Sequence, residues 1–315
     1  MLRDLRSVEI VRAVAAKGTV SAAAHELGIS QPALTKRIRA VESEVGLTLF
    51  NRERKGMELT PSGEFFLAQG EKLVLQAQEM SGQLEAFRAG NGGDLRIGTK
   101  TGLDDAFFTD VMLDFIRAFP RALVEVDIDT TPSLIDRLDR GDLDVVLVAR
   151  GYPDKTGRDC VLHPSVEFND LCSLKFDFVV RADHPVTAKD ARAQDIFEYP
   201  LACPKAPTDI LSLVSSAQQQ AKAPYPCPNI LIDDYDAVFK IVEASDHWTA
   251  APAASRSAIE RNPKLKVIPG GDVIPPLNIG YAYRKQWTPV PSADHFLSLI
   301  QTAVEKLPRD SISND

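Results

Sequence analysis

Residues 19–39 are Thr-Val-Ser-Ala-Ala-Ala-His-Glu-Leu-Gly-Ile-Ser-Gln-Pro-Ala-Leu-Thr-Lys-Arg-Ile-Arg, and they predict two short helices joined by a tight turn. Ser21 is predicted to cap the first helix, and Gly28 can adopt the positive φ that ends it. Ser30 is predicted to cap the second helix, with Pro32 in its first turn. A small-residue helix, a glycine turn and a polar, basic helix are typical of a helix-turn-helix, whose second helix enters a DNA major groove.

A basic turn follows the second helix. Phe50 begins a short predicted strand, residues 51–56 form a turn that carries Arg52, Arg54 and Lys55, and the chain then returns as a second strand. Cations on such a wing pair with phosphates, which positions a protein on duplex DNA without specifying the sequence. For the helix pair alone, the alternative is an ordinary amphipathic hairpin in a protein core.

The second helix presents polar side chains around an inward apolar pair, Leu34 and Ile38. Gln31 and Thr35 are predicted to face base edges, because amide side chains pair well with adenine. The cations are better suited to phosphates. The candidate DNA-binding residues are Ser30, Gln31, Pro32, Ala33, Thr35, Lys36, Arg37, Arg39, Arg52 and Arg54.

This part of the chain resembles a known family. The residues that carry the resemblance are Ala22-Ala23, Leu27, Ser30-Gln31-Pro32-Ala33-Leu34, Ile38, Glu42, Gly46, Leu49-Phe50, Arg52, Leu59-Thr60 and Gly63. Their order and spacing resemble the LysR-type transcriptional regulators, without a gap over roughly the first ninety residues. The resemblance implies an N-terminal winged helix-turn-helix, a long linker helix and a C-terminal α/β domain with two lobes, like those of periplasmic binding proteins.

Charge is unevenly distributed along the chain. The 315-residue protein has a formal net charge of −8, yet residues 1–62 contain ten cations and seven anions, a local charge of +3. The remaining residues therefore carry −11, so the overall acidity does not argue against a nucleic-acid partner. No apolar run approaches the roughly eighteen residues that a membrane helix needs, and no cleavable signal precedes the first helix. We therefore expect a cytoplasmic protein with no membrane partner.

A long helix is predicted from Pro61 to about Ala89. Its apolar residues repeat every seven positions, with a second set four residues later; they are Phe66, Leu73, Met80 and Phe87, and Gly70, Ala77 and Leu84. This two-position seam is typical of a paired coil and predicts a homodimer, in which Gly70 and Ala77 allow close approach of the helices. The alternative is that the stripe packs on the chain's own body. A dimer presents two reading helices, so the double-stranded DNA target should be a two-fold-related site.

After Gly90-Asn-Gly-Gly93, a predicted flexible break, strands alternate with helices, which predicts a parallel sheet with crossovers. The predicted fold class is therefore a multi-domain α+β protein. Its predicted domains are a winged helix-turn-helix at 1–60, a linker helix and hinge at 61–90, an effector-binding domain at 91–307 and a tail at 308–315. The resemblance divides the effector-binding domain into lobe I at 94–164 and 270–307, and lobe II at 165–269.

Small molecules bind beyond the carboxyl ends of strands in open parallel sheets. Four predicted strand ends supply the candidate effector-binding residues, which are Thr99, Lys100, Thr101, Asp129, Thr130, Ala202, Cys203, His247 and Trp248. Hydroxyls, a cation and the free N–H groups of a helix start at 98–102 suit an anion, for example an organic acid. The resemblance places the inducer-contacting loop at the same point. The alternative is that the two threonines cap a helix and the lysine is solvated.

One segment departs from the family's pattern. Family members usually carry two glycines before an apolar run and a proline, whereas this chain has Ser245 and His247, followed by Trp248. These side chains either form the wall of an unusual pocket, with an apolar indole and a titratable imidazole, or fill the cleft so that ligand binding is weak or absent. We favour the pocket.

The sequence thus predicts a sequence-specific transcriptional regulator that a small-molecule effector controls. An alternative within the family is redox sensing by Cys203, with Cys227 as its nearest cysteine; the four cysteines show no metal-ligand spacing. Alternatives from other classes are an α/β enzyme and a solute-binding protein. Hydrolase, Walker and dinucleotide signatures are absent, and a solute-binding protein should be exported. We therefore expect no enzyme activity, cofactor or metal. A homotetramer is expected beyond the dimer, and RNA polymerase is a candidate further partner.

Overall fold

The computed structural model describes residues 4–53, 56–89, 92–100, 107–150, 164–187, 193–206, 208–270 and 274–313. The chain divides into two compact units, Met1–Leu84 and Glu85–Asp315. The described elements include both helices and strands. The chain is thus a multi-domain α+β protein, as predicted. None of the described helices is long and apolar enough to cross a membrane.

The first unit is mainly helical, with one hairpin. Its described elements are α1 (Arg6–Lys17), α2 (Val20–Glu26), α3 (Gln31–Val45), β1 (Phe50–Glu53), β2 (Gly56–Leu59) and α4 (Pro61–Ala89), the last of which continues into the second unit. β1 and β2 pair in antiparallel fashion, with Phe50 opposite Leu59. The predicted helix pair, wing and long helix are therefore confirmed.

Local capping sets the boundaries of the two predicted helices. Thr19 caps α2, since its extended backbone lets its hydroxyl accept a hydrogen bond from the Ala22 N–H at 3.3 Å. The prediction that Ser21 is the cap is therefore wrong, because Ser21 lies inside the helix. Gly28 has a φ of +65° after α2, and the Ser30 hydroxyl accepts from the Ala33 N–H at the start of α3, as predicted.

A small apolar core joins the helices of the first unit to the hairpin. Val11, Leu34 and Leu49 are each fully buried in it. Glu42 fastens the start of the hairpin to α3, because its carboxylate accepts hydrogen bonds from the backbone N–H groups of Leu49 at 2.9 Å and Phe50 at 3.3 Å. Carboxylate-to-amide bonds of this kind fix the hairpin relative to α3.

The second unit alternates strands with helices, and its remaining elements follow in chain order. The helices are α5 (Thr109–Ala118), α6 (Thr131–Arg140), α7 (Thr208–Gln220), α8 (Tyr235–Ala244), α9 (Arg256–Ile259) and α10 (Pro291–Glu305). The strands are β3 (Leu95–Thr99), β4 (Val124–Ile128), β5 (Val145–Arg150), β6 (Val166–Leu174), β7 (Phe176–Arg181), β8 (Ala202–Cys203), β9 (Ile230–Leu231), β10 (Thr249–Pro252), β11 (Leu265–Ile268), β12 (Leu277–Arg284) and β13 (Ile312–Ser313).

The larger sheet of this unit is mixed, and not parallel throughout as predicted. Its described strands have the order β13-β6-β12-β5-β3-β4. β3 pairs in parallel with β4 and β5, whereas β12 pairs antiparallel to both β5 and β6. β6 was not predicted, because a register shift in its pairing with β12 breaks the alternation of its apolar residues. β13 lies in the predicted tail and adds an edge strand to β6.

Two separate groups of strands organise the second unit, and we name them as its lobes. Lobe I is built on the six-stranded sheet, with Phe115 and Phe296 fully buried against it. Lobe II is built on the sheet β10-β7-β11 and the parallel pair β8-β9, with Phe178 and Trp248 fully buried in its core. Each lobe thus has its own apolar core, which leaves a cleft between them as the natural place for a ligand.

Candidate DNA-binding and effector sites

One face of α3 gathers most of the predicted DNA-binding residues. Gln31, Pro32, Thr35, Lys36 and Arg39 line a single shallow concavity. The spacing of Gln31, Thr35 and Arg39 places them one turn apart on one side of a helix. The buried residues of α3 lie on another side, so this face combines an amide, a hydroxyl and two cations at the surface.

The other predicted residues of this segment lie elsewhere. Ala33 and Arg37 lie more than a third of a turn around the helix axis from the centre of the concave face. Their side chains therefore point away from it. The Ser30 hydroxyl accepts the capping bond of α3. The Thr35 hydroxyl donates to the Gln31 carbonyl at 3.0 Å, which leaves its lone pairs as acceptors.

The structure describes only part of the predicted wing. Arg52 belongs to β1, where its backbone stands opposite Met57. Arg54 lies outside the described residues, as does Lys55. The hairpin itself follows α3 and α2 in the order that a winged helix-turn-helix requires.

The apolar stripe of α4 divides into a covered part and an exposed part. Phe66 packs on the core of the first unit, and Gly70 is buried, where an added Cβ would lie 2.6 Å from a methyl group of Val8. Gly70 therefore allows α4 to approach the chain's own α1, which corrects the prediction that it serves a partner helix. Leu73 and Met80, about one and three turns beyond Gly70, are exposed at 46% and 57%, and Leu84 is exposed at 56%.

A cavity of about 110 Å³ lies between the two lobes. Lobe I contributes Lys100, Ala149 and Ile279 to its wall. The lining from lobe II is mostly apolar and includes Leu201, Cys203, Pro204, Ile210, Val214, Tyr235, Trp248 and Ala250. Of the predicted effector residues, Lys100, Cys203 and Trp248 therefore line one cavity, although they come from three distant parts of the chain.

Lys100 is the cationic group of lobe I at this cavity. Its ammonium donates a hydrogen bond to the backbone carbonyl of Lys205, in lobe II, at 2.8 Å. Burial lowers the pKa of Lys100, although Asp233 acts in the opposite direction. A partly desolvated ammonium that is bonded to one neutral carbonyl is a good site for an anion, because a carboxylate would be a stronger acceptor.

The other candidates at the strand ends are not among the described residues that line this cavity. The Asp129 carboxylate accepts from the Ser133 hydroxyl and the Thr130 N–H, each at 2.6 Å, and these bonds lower its pKa. Asp129 and Thr130 thereby form the start of α6. Thr99 is fully buried, as is Ala202, and Thr101 lies outside the described residues.

Trp248 and His247 have different surroundings, although they are neighbours in sequence. The indole of Trp248 is fully buried and donates to the Tyr199 carbonyl at 3.1 Å. The imidazole of His247 lies 2.8 Å from the Ser245 hydroxyl and 2.9 Å from the Asn229 side-chain oxygen. The first bond lies within one loop and the second reaches the segment before β9. His247, which was predicted at the pocket wall, is not among the described residues that line the cavity.

The sequence did not identify most of the cavity wall. Ile210, Tyr235 and Ile279 are apolar or aromatic side chains on elements that are far apart in sequence. The predicted effector residues were mostly polar side chains at strand ends, whereas the described wall of this cavity is largely apolar. The sequence signal that could have identified such wall residues is an apolar side chain directly after a strand, for example Pro204 after β8.

The cysteine thiols are mostly shielded. Burial raises the pKa of Cys203 to about 12 and that of Cys172 to about 11. Burial also raises the pKa of Cys227. Cys160 lies outside the described residues. Because the thiolate is the reactive form, the described cysteines are poorly prepared for reaction with an oxidant.

Comparison with known proteins matches both units. Residues 5–64 match the family described as "Bacterial regulatory helix-turn-helix protein, lysR family", and residues 88–305 match the "LysR substrate binding domain". A "Probable RuBisCO transcriptional regulator" of Trieres chinensis is 24% identical over 84% of this chain and 84% of that protein. The "HTH-type transcriptional regulator ClcR" of Pseudomonas putida is 33% identical over 49% of this chain and 52% of that protein.

Solved structures resemble the whole chain at low sequence identity. A full-length OxyR variant from Pseudomonas aeruginosa has a TM-score of 0.62 and 20% identity, covering 100% of this chain and 99% of that one. Full-length CbnR in complex with its target DNA has a TM-score of 0.56 and 22% identity, covering 96% and 100%. At these identities the likeness concerns the fold.

Proposed function

This chain belongs to the LysR family of DNA-binding transcriptional regulators with an effector-binding domain, and from that premise we propose how it recognises DNA, binds its effector and assembles. The observation that carries the proposal is the polar and cationic face of α3, formed by Gln31, Thr35, Lys36 and Arg39. A protein of this kind acts where the chromosome lies, so we propose a cytoplasmic location.

In the proposed complex α3 lies in the major groove of a duplex. Gln31, in the first turn of α3, pairs with a base edge, and Thr35 accepts from or contacts a neighbouring base. Lys36 and Arg39 bind phosphates or share the base contacts. Ser30, Pro32 and Ala33 shape the helix start, while Arg37, Arg52 and Arg54 supply outer backbone contacts.

Two substitutions on α3 should separate base recognition from phosphate binding. In Gln31→Ala we expect loss of preference at one base pair, worth about 1–3 kcal/mol of discrimination. In Arg39→Met we expect weaker binding to every duplex, with the slope of log K against log salt reduced by about 1. Fluorescence anisotropy across a salt series, on a duplex selected in vitro with the wild type and on its scrambled form, measures both effects.

Arg37→Met is the matched control, because Arg37 is an exposed cation of the same helix that lies off the concave face. It should reduce the salt slope less than Arg39→Met. If Arg37→Met has the larger effect, or if Gln31→Ala binds all duplexes with unchanged preference, the proposed orientation of α3 is wrong.

We propose that the effector is a small organic acid with an apolar body, bound in the cavity between the lobes. Its carboxylate would replace the Lys205 carbonyl as the acceptor for the Lys100 ammonium. The apolar body would lie against Trp248 and Ile279. The volume of about 110 Å³ is below the roughly 150 Å³ of an apolar cavity that holds benzene, so a single-ring acid would require the lobes to move slightly apart. Binding would set the relative positions of the lobes, and hence DNA occupancy.

Lys100→Met should remove the charge selectivity of this cavity. We expect benzoate to bind about ten- to a hundredfold more weakly, because a charge-assisted hydrogen bond is lost, while neutral benzamide changes little. In the wild type, benzoate affinity should fall as the pH rises through the pKa of Lys100, because the ammonium is then lost. Burial lowers that pKa, so the loss comes at a lower pH than for an ordinary lysine. Calorimetric titration measures both effects.

Lys240→Met provides the control, since Lys240 is an exposed lysine of α8 that does not line the cavity. It should leave benzoate affinity unchanged. Equal losses for benzoate and benzamide in Lys100→Met would contradict a role for the ammonium in charge recognition.

We propose a homodimer through the exposed stripe of α4, at Leu73, Met80 and Leu84. For a tetramer, lobe I offers a second apolar surface. β4 is an edge strand, and Val126 and Ile128 on it are exposed at 41% and 53%. Such edges pair readily with other chains. RNA polymerase remains a predicted further partner of this protein.

The remaining alternatives fit the cavity less well. A redox sensor needs a reactive thiolate, and the raised pKa of Cys203 keeps its thiol protonated. An enzyme needs paired catalytic groups, whereas the described wall of the cavity combines apolar side chains with lysines. We therefore propose a ligand-binding regulator without catalytic activity.

A further inference from the structure

A second cavity, of about 200 Å³, opens within lobe II. It lies between α8, β10 and α9, and its described lining includes Tyr235, Phe239, Pro252, Ile259 and Leu265. We propose that this cavity is a second ligand site, selective for a small aromatic amine. The site is separate from the cavity between the lobes, and its existence does not depend on the proposed function.

The walls suit a flat apolar ring. Tyr235 and Phe239 form an aromatic pair with ring centroids 5.4 Å apart and planes tilted by 35°. Ile259 and Leu265 face them from α9 and β11, and each is 7% exposed. A ring between these side chains would gain aromatic contact on one side and aliphatic contact on the other.

The charge of the lining favours an ammonium group. Asp236 lines this cavity from the exposed first turn of α8, and no lysine or arginine is among the described residues that line it. Asn262 also lines the cavity, but its amide group donates to Glu243 and its oxygen accepts from the Lys264 N–H. Lys264 pairs with Glu243 at 3.5 Å. Asp236 therefore decides the charge preference, opposite to that of Lys100 in the other cavity.

Tyr235 and Pro252 line both cavities. The Tyr235 hydroxyl donates to the Ala250 carbonyl at 2.9 Å, and Ala250 also belongs to the wall of the first cavity. A ligand in the second cavity would therefore restrict an aromatic ring that the first cavity shares. On the premise of the proposed function, occupancy of the second site changes effector affinity in the first.

Three ligands with the same ring test the site: benzylamine, benzyl alcohol and benzoate, which are cationic, neutral and anionic at neutral pH. The measurement is the NMR chemical shift of isoleucine and leucine methyl groups, labelled with ¹³C in the full-length protein. Benzylamine should shift the methyl signals of Ile259 and Leu265, which line the second cavity alone, and benzyl alcohol should do so more weakly. Benzoate should shift those signals less than benzylamine does, because it reaches them only through the shared Tyr235 ring.

The methyl groups of Ile210 and Ile279 line the first cavity and report on it separately. If benzoate shifts neither of them, the proposed effector class fails, while the second site is still judged on Ile259 and Leu265. If benzylamine leaves Ile259 and Leu265 unchanged, or if benzoate shifts them as strongly, the second site is overturned.

Asp236→Asn tests the charge preference directly. We expect benzylamine to bind about three- to tenfold more weakly, because a partly screened attraction is lost, while benzyl alcohol binds as before. Glu260→Gln is the matched control, since Glu260 is an exposed carboxylate of lobe II outside the cavity. Equal losses for the amine and the alcohol in Asp236→Asn would show that the carboxylate does not select the charge.

Discussion

The double substitution Leu73→Glu with Met80→Glu is expected to convert the protein into monomers. It should also weaken binding to a two-fold-related DNA site at least about a hundredfold. These side chains are the exposed continuation of an apolar stripe whose first residues the core of the first unit already covers. In a paired coil they would meet their counterparts across the seam. Four glutamates at that seam would repel one another and remain hydrated, so the pair would separate.

The loss of DNA affinity follows from the loss of the second reading helix. In a dimer, binding of one half-site holds the other α3 close to its own half-site, so the second contact forms at a high effective concentration. A monomer has a single α3 and lacks this gain. Sedimentation velocity measures the assembly state, and anisotropy on a duplex selected with the wild type measures the affinity.

A control variant adds the same charge to the same helix. Ala68 and Gln78 are exposed and lie on the opposite side of α4 from the stripe. Ala68→Glu with Gln78→Glu should therefore leave the dimer and its DNA affinity close to those of the wild type. The proposed interface fails if both double variants behave alike, or if the Leu73 and Met80 variant stays dimeric. Circular dichroism melting should show that the first unit is folded in each.

Trp248→Ala is expected to reduce the free energy of unfolding of the second unit by about 3–5 kcal/mol. The indole is fully buried and packs edge-on against Phe178 and Phe197, with ring centroids 5.3 and 5.6 Å away. Its removal leaves a void beside the cavity between the lobes, and the Tyr199 carbonyl loses its indole donor. Packing and a buried hydrogen bond are thus lost together.

Two further variants make this expectation testable even if Trp248→Ala folds poorly. Trp248→Phe keeps an aromatic ring but removes the donor and part of the volume, so a smaller loss of about 1–2 kcal/mol is expected. Trp287→Ala removes the chain's other tryptophan, which is partly exposed and contacts Tyr283 in lobe I. Urea unfolding followed by circular dichroism gives the free energies. A Trp287→Ala loss equal to that of Trp248→Ala would contradict the assigned role.

The sequence by itself determined the DNA-binding unit almost completely. The positive φ of Gly28, the cap at Ser30 and the polar face of α3 are local features, because each depends on residues within about two helical turns. The misassigned cap shows the limit of such reasoning. Thr19 and Ser21 are both acceptable capping residues, and the extended backbone at Thr19 decided between them.

Tertiary structure decided which surfaces are covered and which side chains meet. The apolar stripe of α4 was visible in the sequence. Only the contact between Gly70 and Val8 showed which part of the stripe is buried within the first unit and where the exposed part begins. Lys100 meets the carbonyl of Lys205 although 105 residues separate them, and β12 enters the larger sheet antiparallel from a distant part of the chain. Capping and periodicity express interactions between near neighbours in the chain, whereas a cavity wall or a mixed sheet joins distant segments whose pairing leaves no local pattern.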